Sequence, residues 1–94
     1  MELRYRQLRA GLLAVRERLD ELRIEAESAD GLIVATVDGR GRLVDVTLDP
    51  RIRRHADAGA LARDVLATVR RAAELAATAA AEFTAGALRA GDVR

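Results

Sequence analysis

The segment Ser28-Ala-Asp-Gly-Leu-Ile-Val-Ala-Thr-Val-Asp-Gly-Arg-Gly-Arg-Leu-Val-Asp-Val-Thr-Leu-Asp-Pro50 decides the fold. Two apolar runs, Leu32 to Val37 and Leu43 to Leu48, flank Asp38-Gly39-Arg40-Gly41, which is a strong hairpin signal. Glycine enters the φ > 0 region without a Cβ clash, so the turn closes tightly. Leu32 to Val37 is apolar on both faces, as a central strand is, whereas Val44, Val46 and Leu48 alternate with Asp45 and Thr47. Pro50 ends the second strand by removing an amide donor.

Helical patterns lie on either side of this hairpin. Tyr5, Leu8, Leu12, Val15, Leu19, Leu22 and Ala26 recur at spacings of three and four, which predicts a helix over residues 2 to 26. Such a helix is about 37 Å long, more than a small sheet covers, so its seam needs a second helix. Ile24 to Ser28 reads either as the tail of that helix or as a short extra strand. The turn-like Ser28-Ala29-Asp30-Gly31 favours the strand, and with it a three-stranded antiparallel sheet. Beyond Pro50, a basic connector at residues 51–57 leads to Asp57, a candidate cap for the next helix. That helix is expected from about Ala58 to about Ala85, with Leu61, Val65, Val69, Ala72 or Ala73, Ala76, Ala80 and Phe83 along one stripe. The reading is one α+β domain over residues 1–86, with a two- to three-stranded antiparallel sheet between long N- and C-terminal helices. Residues 87–94, with Gly86 and Gly91 nearby, are expected to form a disordered tail.

Composition narrows the function. Half of the 94 residues are hydrophobic but only Tyr5 and Phe83 are aromatic, and alanine supplies much of the remainder. A monomer of this kind has a thin core, and oligomerisation is the usual remedy. The two seams therefore point to an intertwined or side-by-side homodimer. There is no Cys for a disulfide or thiolate site. No stretch approaches the length of a membrane span, and the N-terminus lacks the apolar core of a signal peptide, so a cytoplasmic location is expected.

No catalytic constellation is present. His55 stands alone in an arginine-rich connector, where a solvated surface role is expected. Asp38, Asp45 and Asp49 suit turn and strand-end positions, and Gly39-Arg-Gly41 is too short to cradle a phosphate and opens no helix. The chain reads as non-enzymatic, with no cofactor and no metal. Its remaining chemistry is arginine: sixteen of them, with no lysine, and a formal net charge of only +1. The basic sets left as functional candidates are Arg4, Arg6 and Arg9; Arg40 and Arg42; Arg51, Arg53 and Arg54; and Arg63, Arg70 and Arg71. Acids gather in the later half of the first helix, at Glu17, Asp20, Glu21, Glu25 and Glu27.

The ordered series Asp30-Gly31, Val34, Val37-Asp-Gly39, Gly41, Leu43-Val-Asp-Val46, Leu48-Asp49-Pro50, followed by Ala58 to Ala73, resembles the YbaB/EbfC family of small bacterial nucleoid-associated proteins. The resemblance covers roughly residues 28 to 75. It implies a homodimer with helices splayed from a sheet core, located at the nucleoid. It also implies binding to double-stranded DNA through the phosphate backbone with little sequence preference. The chain departs from the family in lacking Lys-, Met- and Gln-rich ends, and a near-neutral dimer is an unpromising nucleic-acid binder. A second reading follows from that departure: a small adaptor or scaffold whose seam of Tyr5, Leu8, Leu12, Val15, Leu19 and Leu22 binds a protein partner.

Overall fold

The computed structural model describes residues 2–54 and 57–92. Helix α1 (Glu2–Glu21) leads into strands β1 (Ile24–Glu27), β2 (Ile33–Val37) and β3 (Leu43–Leu48). A 3-10 turn (Pro50–Arg54) and the long helix α2 (Ala58–Asp92) follow. Two expectations are corrected. Helix α1 stops at Glu21, so Ala26 leaves the helical seam and belongs to β1. The reason is local: the Arg23 guanidinium donates to the Asp20 and Leu22 carbonyls at 2.9 Å each, closing the helix end. Ile24-Glu-Ala-Glu then alternates, and Ala26 is buried while its neighbours are exposed. The second correction is at the other end, where α2 runs past Ala85 and stays helical to Asp92 through the region expected to be a disordered tail. The helix formers Ala85, Ala87, Leu88, Arg89 and Ala90 outweigh Gly86 and Gly91.

The sheet is antiparallel in the order β1-β2-β3. Ile24, Ala26, Ile33, Ala35 and Val37 share one face, because directly opposed residues of antiparallel strands point the same way. Ala72 and Ala76 of α2 are fully buried against Ala26, Ala35 and Val37, with Ile24 and Val69 at the margin. Alanine on both sides lets the helix backbone come close to the sheet. The expected stripe Leu61, Val65, Val69, Ala72, Ala73, Ala76, Ala80 and Phe83 is buried or half-buried throughout. The Asp57 carboxylate accepts from the Gly59 and Ala60 amides at 2.9 and 3.1 Å, capping α2 as expected.

Helix α2 lies across β1 and β2 and leaves β3 bare. Leu48 and Val46 sit opposite Ile33 and Ala35 on the helix-facing side, yet Leu48 and Leu43 stay exposed. A shift in register after Thr36 puts Leu43 opposite Val37 and leaves Val44 without a partner. The chain is elongated, 63 Å by 19 Å by 17 Å, with a radius of gyration of 18.1 Å. A compact domain of this length has about 12 Å.

The N-terminal arm is anchored at one junction. Gly39 donates its amide to the Leu19 carbonyl at 2.8 Å, joining the last turn of α1 to the β2–β3 hairpin. A Cβ on Gly39 would stand 2.6 Å from that carbonyl oxygen. Around it, Asp38 accepts from the Arg40 and Arg42 amides (2.9 and 3.0 Å) and from Arg42 Nε at 2.8 Å. The Arg42 guanidinium also reaches Asp20 at 2.9 Å and Arg40 reaches it at 3.4 Å. Burial pushes the Asp38 carboxyl up, but the hydrogen bonds from Arg42 and Arg40 outweigh it and hold the group below the ordinary value of 3.8.

Two glycines of this hairpin separate two kinds of cost. Gly41 sits at φ +81° in open space, so Gly41→Ala strains only its own backbone, at about 1 kcal/mol. Gly39→Ala must displace Leu19, so it should cost more than about 1 kcal/mol and also move α1. Thermal melts measure the first effect, and the distance between a spin label near residue 8 and one in the sheet reads the second.

Asp38 also predicts a pH dependence. A depressed folded value means that the ionised group contributes stability above the unfolded value, and that the contribution disappears as pH falls through the folded one. Asp38→Asn should lower the melting temperature at neutral pH and flatten its decline below about pH 4, so that the two proteins converge in acid.

Candidate nucleic-acid interface

Arginines differ in whether an acid already occupies them. On α1, Arg4, Arg6 and Arg9 are exposed and form no ion pair among the described residues. Arg16 is in the same state, and no acid interrupts residues 3–16. Residues 3–14 are exposed throughout, so these guanidiniums line an open helix. Arg9 and Arg16, seven residues apart, share one stripe about 10 Å long, with Arg6 one turn before Arg9. Arg16 was not among the sequence-derived candidates; its seven-residue offset from Arg9 was the available signal.

The hairpin and connector sets are less free. Arg40 and Arg42 are committed to Asp20 and Asp38 at the junction. Arg51 folds back on Asp49, with Nε 3.1 Å and a second guanidinium nitrogen 3.1 Å from the carboxylate, and its amide donates to the same group at 2.9 Å. That guanidinium holds the Asp49 carboxyl below its ordinary value. The side chains of Arg53 and Arg54, and all of His55, lie outside the described residues. The Asp20 pairings were invisible in sequence because Asp20 is far from Arg40 and Arg42 in the chain and meets them only at the hairpin.

On α2, Arg63, Arg70 and Arg71 are exposed. Arg63 and Arg70 are seven residues apart and lie on the side opposite the buried Ala72 and Ala76. Arg71 is on a flank instead, where it lines a cleft of about 250 Å³ with Asp64, Ala67, Thr68 and the segment Glu27 to Asp30. The structure therefore does not gather the eleven candidates into one patch. It separates charge along the molecule. Basic residues alone occupy residues 3–16 of α1, while residues 24–49 hold Glu25, Glu27, Asp30, Asp38, Asp45 and Asp49 against only Arg40 and Arg42. A net charge of +1 conceals this arrangement.

The seam residues divide as well. Val15, Leu19 and Leu22 are half-buried where α1 meets the rest of the chain, but Tyr5, Leu8 and Leu12 are 66%, 59% and 56% exposed. Among the described residues, no group of three or more metal-ligating side chains occurs, and no helix is long and apolar enough to cross a membrane.

A profile of the YbaB/EbfC DNA-binding family matches residues 3–91. A nucleoid-associated protein of Thermobifida fusca is 35% identical over 63% of this chain and 51% of its own length, so the chain spans about half of that relative. Nucleoid-associated proteins of Anaeromyxobacter sp. and Anaeromyxobacter dehalogenans are 35% and 34% identical over 85% and 82% of the chain, and over 78% and 75% of theirs. The fold matches the crystal structure of an uncharacterized protein from Helicobacter pylori with a TM-score of 0.75, covering 89% of this chain and 88% of that one at 14% identity. With the profile spanning both helices and the sheet between them, the chain belongs to the YbaB/EbfC DNA-binding family.

Proposed function

We propose that this chain acts as a non-enzymatic, nucleoid-associated homodimer that holds duplex DNA by its phosphates with little regard for sequence. The observation that carries the reading is the acid-free run of exposed arginines on the first half of α1. Guanidinium groups grip phosphate with a planar fork, and Arg4, Arg6, Arg9 and Arg16 have no carboxylate to displace first. Arg63 and Arg70 supply a second, spaced pair on α2. Arg40, Arg42 and Arg51 rank below both sets, since DNA would have to break an existing ion pair. Nothing in these stripes resembles a base-reading set of side chains, so affinity comes from the backbone. A place at the nucleoid within the cytoplasm follows from that partner.

Dimerisation is supported by what one chain leaves uncovered. Leu43, Val44 and Leu48 on β3, Leu66 on the flank of α2 away from β1, and Tyr5, Leu8 and Leu12 on α1 are all large, apolar and exposed. That is more apolar surface than a chain of this size leaves to water when it works alone. The alternative, an adaptor binding a different protein through the α1 seam, uses the same surface and is separated from this reading by the measurements below.

Sedimentation at micromolar concentration should show one species near twice 10.2 kDa. Leu48→Asp, which puts an unpaired carboxylate into the β3 row, should split that species while leaving helical content in place. A cooperative monomer from the unmodified chain would refute the dimer.

DNA binding is tested by titration onto random duplex at several salt concentrations. With four to six arginines neutralising phosphates, the slope of log affinity against log salt should be roughly −4 to −5. Neutralising Arg4, Arg6 and Arg9 together should weaken all sequences alike and flatten the slope, whereas neutralising Arg40 and Arg42 should lower stability with little change in slope. A folded dimer that gives a flat titration at low salt would overturn the DNA reading and promote the adaptor.

A further inference from the structure

Among the described residues, α2 is the helix that packs on the sheet, and the face turned away from it carries no helix of its own. By register it presents Glu25, Thr36 and Asp45 in one row and Glu27, Val34 and Thr47 in the next. Glu25, Glu27 and Asp45 are exposed and have no cationic partner among the described residues; Asp45 receives only the Thr47 hydroxyl at 3.4 Å. Val34, on the central strand, lies half-buried between the acids. The face is therefore a shallow apolar centre with carboxylates around it.

A complementary surface exists on the same chain. Arg6, Arg9, Leu13 and Arg16 fall on one stripe of α1, roughly a quarter of a turn round from the seam of Tyr5, Leu8 and Leu12. Leu13 does not belong to the seam, yet it is a large apolar side chain 49% exposed, with unpaired arginines on either side. The spacing also agrees. Glu25 and Asp45 lie two strands apart, about 10 Å, and Arg9 and Arg16 are separated by about 10 Å along the helix. Helix α1 cannot fold back onto its own sheet face, because the Gly39–Leu19 junction fixes its last turn at the hairpin end.

We propose that the open sheet face, with Glu25, Glu27 and Asp45 around Val34, docks the Arg6–Arg9–Leu13–Arg16 stripe of another copy of this chain. Two sheet faces cannot pair with each other, since both are acidic, so the contact joins unlike surfaces, the arm of one copy and the body of another, and it is heterologous wherever the same two copies do not exchange arms reciprocally. A heterologous contact that does not close on itself propagates, and it links copies beyond the dimer. The arginines it uses are among those assigned to phosphate, so duplex DNA competes with the acidic face for the arm. That competition rests on the DNA reading; the docking does not.

The test uses two variants of the whole chain. One, Glu25→Gln with Glu27→Gln and Asp45→Asn, lacks the acidic face; the other, Arg6→Gln with Arg9→Gln and Arg16→Gln, lacks the basic stripe. All six positions are exposed, and circular dichroism checks that both variants fold. In low salt without DNA, light scattering should show the unmodified chain forming species larger than those it forms in high salt. Each variant alone should stay at the high-salt size, with the association weakened about tenfold or more. An equimolar mixture should associate again, because each variant supplies the surface that the other lacks. The proposal is overturned if the unmodified chain shows no larger species, if either variant still forms them alone, or if the mixture stays silent. Adding duplex should dissolve the association, and the acid-neutralised variant should bind DNA at least as tightly as the unmodified chain. Reassociation of the mixture with no DNA binding by any protein would retain the docking and reject the proposed function.

Discussion

Everything in this molecule depends on how much sheet one alanine-faced helix can cover. Ala72 and Ala76 bring α2 close to Ala26 and Ala35, which seals two strands well. Small side chains cannot reach sideways, however, so the third strand stays outside the seal. Burying a Leu side chain is worth about 1.5 to 3 kcal/mol, and several large apolar residues on β3 and α1 forgo that gain in the single chain. The thin core and the bare seams are thus one fact seen from two sides. A bulkier residue at position 72 or 76 would not widen the cover; it would lift the helix off Ala35.

The second organising feature is the separation of charge. Carboxylates that lie in the sheet segment are either consumed locally, as Asp38 and Asp49 are, or left open on the outer face, as Glu25, Glu27 and Asp45 are. Arginines on the first half of α1 have no ion-pair partner among the described residues. An anion approaching the molecule therefore meets a repelling body and an attracting arm, although the sum of charges is close to zero. Net charge is a poor guide to such a surface because screening limits each interaction to about 8–10 Å, far less than the 63 Å length of the chain.

Much of the fold was legible in the sequence because it rests on local rules. Asp38-Gly-Arg-Gly announced its turn, β3 matched its run of Leu43 to Leu48, and Asp57 capped α2. Where the reading left an alternative open or failed, local signals competed. Ala26 fits a helical seam and a strand interior equally well, and only pairing with Ala35 decides between them. Gly86 and Gly91 looked like terminators, but the alanines, Leu88 and Arg89 between and before them favour the helix. The bulge at Val44 was not legible, since it depends on how β2 and β3 meet near the hairpin. Of the site, the exposed arginines of α1 could be read from their acid-free run. The commitment of Arg40 and Arg42 could not, because it requires knowing that the end of α1 lies beside the hairpin.

That last meeting point has a mechanical side. From Leu19, where α1 is pinned, to Arg4 is about 22 Å of stiff helix. A rotation of about 10° at the pin therefore carries Arg4 through about 4 Å, slightly more than the roughly 3.4 Å of helix axis between successive phosphates on one strand. The hairpin is in this sense a fulcrum. The amide-to-carbonyl bond at Gly39, with the Asp20 ion pairs beside it, sets the gauge of the arm, and an adjustment too small to disturb the core would retune the distance it spans.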